Sequence, residues 1–166
     1  MSDTTPANKN FLSQIGFKLV LKKAPAVNFF VQKAALPSLS LGSVTRGTPF
    51  VKIPTPGDHL DYGDFNVTFK VDEQLQNYLE IWNWMVSLGV PASFDQYPSD
   101  NQPDSIVSDM SLILLSSAQQ PLHEISFIDA FPVRLTDLEF DATANDIEYL
   151  TATASFKYQQ YTITTL

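Results

Sequence analysis

The stretch whose reading decides the fold runs from Pro56 to Gly89, PGDHLDYGDFNVTFKVDEQLQNYLEIWNWMVSLG. Within it Phe65, Val67, Phe69 and Val71 are apolar at every second position, with Asn66, Thr68 and Lys70 between them. That alternation is the mark of a β-strand with one face in a core. At Asp72 the period changes. Asp72 is a favourable helix N-cap, Glu73 puts a negative charge in the first turn, and Leu75, Tyr78, Leu79, Trp82, Met85 and Val86 recur at three- and four-residue spacing. Gly89 followed by Pro91 is a stop signal, so the sequence predicts a helix over about residues 73–88.

Ile81, Trp84 and Leu88 form a second apolar line on that helix, which makes the apolar arc too wide for a simple surface helix. Two readings stay open at this point. The helix packs deeply on its own sheet, or it puts one face on the sheet and another against a neighbouring subunit.

Upstream, Phe17, Leu19 and Leu21 share a strand face, and a turn at Ala24-Pro25 leads into Val27 to Ala34, a second run rich in Phe and Val. This predicts a hairpin. Leu39, Leu41 and Val44 suggest a short strand ending between Gly42 and Gly47. Residues 45–60, TRGTPFVKIPTPGDHL, hold three prolines and two glycines and cannot form a central strand. Phe50, Val51, Ile53 and Leu60 are too apolar for a disordered loop. The expectation is an extended arm that orders by lying on another molecule, against the competing reading of a hairpin wrapped on its own domain.

Downstream, residues 90–106 read as a second long loop, with Phe94 and Tyr97 as anchors. From Ser108 onward only strands are predicted: Met110, Leu112 and Leu114 mark one, and Ile125 and Phe127 another within Glu124 to Asp129. An interruption at Phe131-Pro132 precedes a strand from Val133 to Asp141 whose phase shifts near Asp137, as at a bulge. In the last strand Leu150, Ala152, Ala154, Phe156 and Tyr158 alternate with Thr151, Thr153, Ser155, Lys157 and Gln159. One face is core and the other small and polar. Seven or so strands plus one helix make a mainly β fold, an antiparallel β-sandwich or barrel with one flanking α-helix, over a single domain of residues 1–166.

Composition narrows the function. A chain of 166 residues can build a core without staples, and the absence of cysteine removes disulfides, thiolate metal sites and a cysteine nucleophile. Residues 1–10, MSDTTPANKN, are polar and predict a frayed N-terminus without a signal pattern, and no later run approaches the length needed to span a membrane. The expected chain is soluble and not secreted. A net charge of −8 argues against a nucleic-acid-binding surface built on basic groups. Residues 1–83 carry 8 Lys and Arg against 7 Asp and Glu, whereas residues 84–166 carry 2 against 11, so the halves bear +1 and −9. Unlike halves of this kind suit solvated surface, or the two ends of a head-to-tail contact between identical subunits.

Active-site constellations are hard to find. His59 and His123 are the only histidines, which excludes a three-histidine metal site and leaves a Ser-His-Asp triad one of these two to draw on. Asp58-His59-Leu60-Asp61 sets an imidazole between carboxylates without ligands at metal spacing, and a loop histidine is the ordinary reading. No nucleophile elbow, phosphate loop or dinucleotide fingerprint is present. Asp137, Glu139 and Asp141 are expected on one strand face, with nothing nearby to raise one carboxyl pKa and hold another ionised. No catalytic, cofactor or metal residue is expected.

Several features in order resemble the tail tube proteins of contractile-tailed bacteriophages. They begin with Asn10-Phe11-Leu12 leading to Gly16-Phe17, Val27-Asn28-Phe29-Phe30, and Leu36-Pro37 before Leu41-Gly42. Pro49, Ile53-Pro54 and Pro56-Gly57-Asp58 follow, then Phe65 to Phe69 with Val71-Asp72-Glu73, and Asn77 to Ile81 with Trp84 and Leu88-Gly89. The likeness covers residues 10–91, with strand pattern alone carrying the last third.

The resemblance implies a structural, non-enzymatic subunit forming hexameric rings that stack head to tail into a hollow tube, inside a sheath protein and between a baseplate initiator and a terminator. DNA would pass through the lumen without specific binding, and the protein would reside in the virion tail after assembly in the host cytoplasm. A baseplate-tube junction ring is the alternative role, and a monomeric β-sandwich binding module, with Tyr62, Phe94 and Tyr97 as candidate aromatics, is the alternative class. The chain shows no large added domain of the kind an elaborate baseplate adaptor needs, which favours the repeating subunit. Contacts between copies are expected from Arg46, Thr48, Phe50, Lys52, Ile53, Pro54, Asp58, His59 and Trp84, and a smooth lumen wall from Thr151, Thr153 and Ser155. An acidic chain is expected to repel phosphate along such a wall.

Overall fold

The protein's structure, a computed structural model, describes residues 11–12, 14–89, 106–143 and 148–166. The expected frayed N-terminus and the anchors Phe94 and Tyr97 lie outside these residues. In chain order the elements are β1 (Phe17–Leu21), α1 (Pro25–Phe30), β2 (Val31–Ala35), β3 (Leu39–Gly47), β4 (Lys52–Tyr62), β5 (Phe65–Lys70), α2 (Gln76–Gly89), β6 (Ser108–Leu115), β7 (Pro121–Leu135), β8 (Thr151–Lys157) and β9 (Gln160–Thr165). The fold is mainly β and antiparallel throughout, as expected, with two helices rather than one among the described residues.

Strand β5 keeps its predicted alternation: Phe65, Val67 and Phe69 are fully buried and Asn66 is exposed. On one side it pairs with β8, setting Phe65 opposite Phe156, Val67 opposite Ala154 and Phe69 opposite Ala152. On the other it pairs with β2. The main path is β1-β6-β7-β8-β5-β2, with β9 also on β7. Strand β7 serves two layers, because His123 to Ile128 pair with β9 while Phe131 to Leu135 pair with β8. It changes layer at Asp129, whose φ of 53° lies in the left-handed region that Asp tolerates better than most residues. Phe65 and Phe127 meet between the layers with ring centroids 4.5 Å apart, a close stack within the core.

Four expectations change here. The run Val27 to Ala34 is not the partner strand of β1, which pairs with β6 instead. Pro25 opens α1, its fixed φ already helical, and Glu80 Oε2 accepts the Ala26 N–H at 3.0 Å where a side-chain cap is missing. Asn28 then acts as a strand end would: it accepts the Leu21 N–H at 2.9 Å and donates to the Leu21 carbonyl at 3.2 Å. Tertiary contacts override the β-propensity of Val and Phe.

Helix α2 also begins later than predicted. Asp72 closes a turn, its carboxylate accepting the Gln74 N–H and its carbonyl the Leu75 N–H, and Leu75 sits at φ 58°. Asp72 is therefore not the N-cap, and Glu73 lies outside the helix. Asn77, fully buried, ties the first turn to β5 by donating to the Lys70 carbonyl at 2.7 Å and accepting the Asp72 N–H at 3.3 Å.

Pro132 does not interrupt β7. It sits opposite Phe156 at a register shift between Pro132 and Arg134, a place where a ladder tolerates a missing N–H. The predicted bulge near Asp137 is thus earlier, and Asp137 to Asp141 belong to no strand. Finally, the strand with Ala152 and Phe156 is not the last. Tyr161 and Ile163 alternate with threonines in β9, which extends the layer of β6 and β7.

Candidate assembly surfaces

Residues 39–62 form a two-stranded ribbon of their own, β3 against β4, with nearly every residue exposed. A two-stranded ribbon consists only of edges, so Pro54 and Pro56 fit in β4 opposite Thr45 and Ser43. The expected arm over residues 45–60 is therefore a longer hairpin, and it does not wrap its own domain. Leu39, Leu41, Val44, Val51, Ile53 and Leu60 stay roughly half exposed or more. Near the middle β3 and β4 shift register and approach closely: a Cβ on Gly57 would meet the Gly42 carbonyl oxygen at 2.6 Å.

The hairpin ends in an ordered turn. Thr48 N–H donates to the Val51 carbonyl at 3.1 Å, and Val51 N–H donates to Thr48 Oγ1 at 3.0 Å. Phe50 stands at its apex, 95% exposed. Arg46 faces Ile53 across the ribbon, and Lys52 faces Gly47. Arg46, Thr48, Phe50, Lys52, Ile53 and Pro54 are thus gathered at the tip. Asp58 and His59 are not among them, lying beyond the register shift toward the root, where His59 Nδ1 contacts Asp58 Oδ1 at 2.6 Å in full exposure.

The root is held by aromatic side chains. Tyr62 packs edge-on against Tyr158 and Tyr161, with centroids 6.0 and 5.5 Å away, and Tyr158 meets buried Phe127 at 4.9 Å. Gly63 N–H donates to the Ser38 carbonyl at 2.9 Å. Sequence reading offered Tyr62 as a ligand-binding aromatic, and its ring is instead part of this cluster.

Trp84 is corrected as an intersubunit contact. It is 6% exposed, its ring lies 6.1 Å from Phe156 and its indole N–H donates to the Ile106 carbonyl at 3.0 Å. Asn77, Ile81 and Trp84 form the inward stripe of α2. The outward apolar residues of α2 are Leu79 and Trp82, the latter 48% exposed, with Leu75 in the turn just before them. The wide apolar arc therefore splits into a core face and a solvent face.

Thr151, Thr153 and Ser155 lie on the face of β8 opposite Ala152, Ala154 and Phe156. Two of their hydroxyls pair along the sheet: Thr153 Oγ1 is 3.0 Å from Thr68 Oγ1, and Ser155 donates to Asn66 Oδ1 at 2.6 Å. By register Lys33 lies beside Thr68, Lys70 beside Thr151 and Arg134 beside Ser155. The segments of β2, β5, β7 and β8 in this layer contain no Asp or Glu. The expected repulsion of phosphate does not come from these strands.

No group of three or more His, Asp or Glu gathers as metal ligands among the described residues. The Thr143 hydroxyl and N–H, donating to Asp141 Oδ1 at 2.6 and 2.8 Å, hold its carboxyl below the ordinary carboxylate range. A general acid needs the opposite shift. No helix among the described residues is long and apolar enough to cross a membrane.

A family model described as phage tail tube protein matches residues 3–164. No curated protein sequence matches the chain. Among solved structures the chain is similar to the tube-terminating cap of the anti-feeding prophage, with a TM-score of 0.67, 17% identity and 100% of each chain covered. It is also similar to the sheath/tube terminator of the extracellular contractile injection system PVC, with a TM-score of 0.66 and 16% identity over 95% of this chain and 99% of that one. A chain of the PVC sheath-tube complex gives 0.60 and 16% over 95% and 94%.

Proposed function

We propose that this chain, which belongs to the phage tail tube protein family, is the repeating structural subunit of a contractile-tail tube. Copies close into hexameric rings, and rings stack head to tail into a hollow conduit for DNA ejection. A sheath protein surrounds the tube, a baseplate initiator and a terminator bound it, and its place is the virion tail, assembled in the host cytoplasm. The hairpin carries this reading. An ordered ribbon that presents Phe50, Val51 and Ile53 to solvent, away from its own core, is a poor surface for a monomer and a good one for a neighbour. Arg46, Thr48, Lys52 and Pro54 flank those apolar groups, and Asp58 and His59 extend the contact toward the root.

The wall of the conduit is assigned to Thr151, Thr153 and Ser155. Thr153 and Ser155 already pair their hydroxyls with Thr68 and Asn66, which leaves Lys33, Lys70 and Arg134 beside them as the groups a passing phosphate backbone meets, without base-specific contact. The function is structural rather than enzymatic.

A second reading has its own support. Likeness to two tube terminators, at full or nearly full coverage, favours a ring that ends the tube instead of repeating along it. The junction with the baseplate is a third position for one ring. Electron microscopy of the purified protein separates these roles: stacked hollow rings are expected for the repeating subunit, single rings for a cap or junction, and a stable monomer would contradict them all.

A further inference from the structure

Strand β5 has a different surface at each of its ends. At the Phe65 end is the hairpin root, where Gly63 bonds to Ser38. At the Lys70 end is an open groove of about 610 Å³, within the range of pockets that hold a side-chain-sized ligand. Its walls are apolar, with Phe30, Leu75, Phe140 and Tyr149, of which Phe140 is 75% and Tyr149 74% exposed. Asp72, Glu73 and Glu148 rim it, against one cation, Lys70, which lies 4.8 Å over the Tyr149 ring. The hairpin tip has the complementary character. Phe50 is an aromatic anchor on a turn that is already ordered, Arg46 and Lys52 flank it, and residues 39–57 contain no Asp or Glu.

We infer that the hairpin tip of one copy docks in this groove of a second copy, Phe50 between the aromatic walls and Arg46 and Lys52 against the acidic rim. The inference rests on the tube reading and names the receptor for its hairpin. Complementary charge fixes the register of the tip. A rigid aromatic anchor entering a pocket concentrates the binding energy with little ordering cost. Tip and groove are different surfaces, and root and groove occupy opposite ends of one strand. Repeated head to tail, such a contact is heterologous and leaves a free tip and a free groove at the two ends of every stack, as an open filament requires.

The chain has no cysteine, so single cysteines report the contact. Pro49→Cys and Gln74→Cys variants, at exposed positions that neighbour Phe50 and the Glu73 rim and leave anchor and walls in place, are mixed and oxidised under conditions in which the wild type assembles. A disulfide between the two variants is expected, and Lys52→Glu should reduce its yield about tenfold, with Glu73→Lys in the partner restoring it. Wild-type tubes accompanied by no Pro49→Cys to Gln74→Cys link would overturn the docking while leaving the tube reading intact. Absence of wild-type assembly would overturn both.

Discussion

Tyr158 donates its phenolic hydroxyl to the Gly63 carbonyl at 2.8 Å, and this bond joins the end of β8 to the hairpin root. Because Tyr158 also packs on Phe127, the hairpin is anchored directly to the hydrophobic core. A ribbon with so few other contacts to the body depends on that attachment for its direction.

Replacing Tyr158 by Phe keeps the ring packing and removes the bond. The expected loss is about 1 kcal/mol, or a fall in Tm of about 2–4 °C, with faster amide exchange at Gly63 than in β5.

The same residue predicts an alkaline limit. Burial, aided by the charges of Tyr161, Tyr62 and Asp64, pushes the Tyr158 phenol up from 10.0 to about 12. The folded state thus favours the neutral phenol, so its contribution to stability is intact below about pH 10 and is lost as pH rises through about 12. A phenolate absorbance titration should show one late-ionising tyrosine in the wild type that is missing in Tyr158→Phe.

The two tryptophans of α2 should behave oppositely. Trp84→Ala empties a core position and is expected to cost about 3–5 kcal/mol in denaturant unfolding. Trp82→Ala should change stability by less than about 0.5 kcal/mol.

Asn77→Ala leaves the Lys70 carbonyl and the Asp72 N–H without their buried partner. A loss of about 1–3 kcal/mol for each unpaired group is expected, measured by chemical denaturation. Asn77→Asp should be worse than Asn77→Ala at neutral pH, since an ionised carboxylate would face the Lys70 carbonyl.

Gly57→Ala places a Cβ against the Gly42 backbone and should disorder the ribbon with little effect on the core. Deleting residues 46–58 tests the same region more severely. Both proteins are expected to fold with a Tm near that of the wild type and to fail to stack, as read by sedimentation. Normal polymerisation of the deletion would remove the hairpin as the contact between rings.

Local period made much of this fold readable. Phe65 to Phe69, Met110 to Leu114 and Ala152 to Phe156 kept their alternation because each strand is core on one side. Val27 to Phe30 misled, since the helix they form depends on Glu80, far away in sequence, and on Leu21. Trp82 and Trp84 could not be told apart by pattern, because the arc was apolar throughout and only packing on Phe156 selects Trp84. The exposed apolar hairpin was legible from Phe50, Val51 and Ile53 among prolines. The groove was not, because Phe30, Leu75, Phe140 and Tyr149 are brought together only by the tertiary fold.

The most direct test of the central claim is the mass of the purified full chain by light scattering over a rising concentration series. A mass that climbs to a multiple of the single chain and then to polydisperse tubes is the predicted result. A mass that stays at one chain at the highest concentration would contradict it.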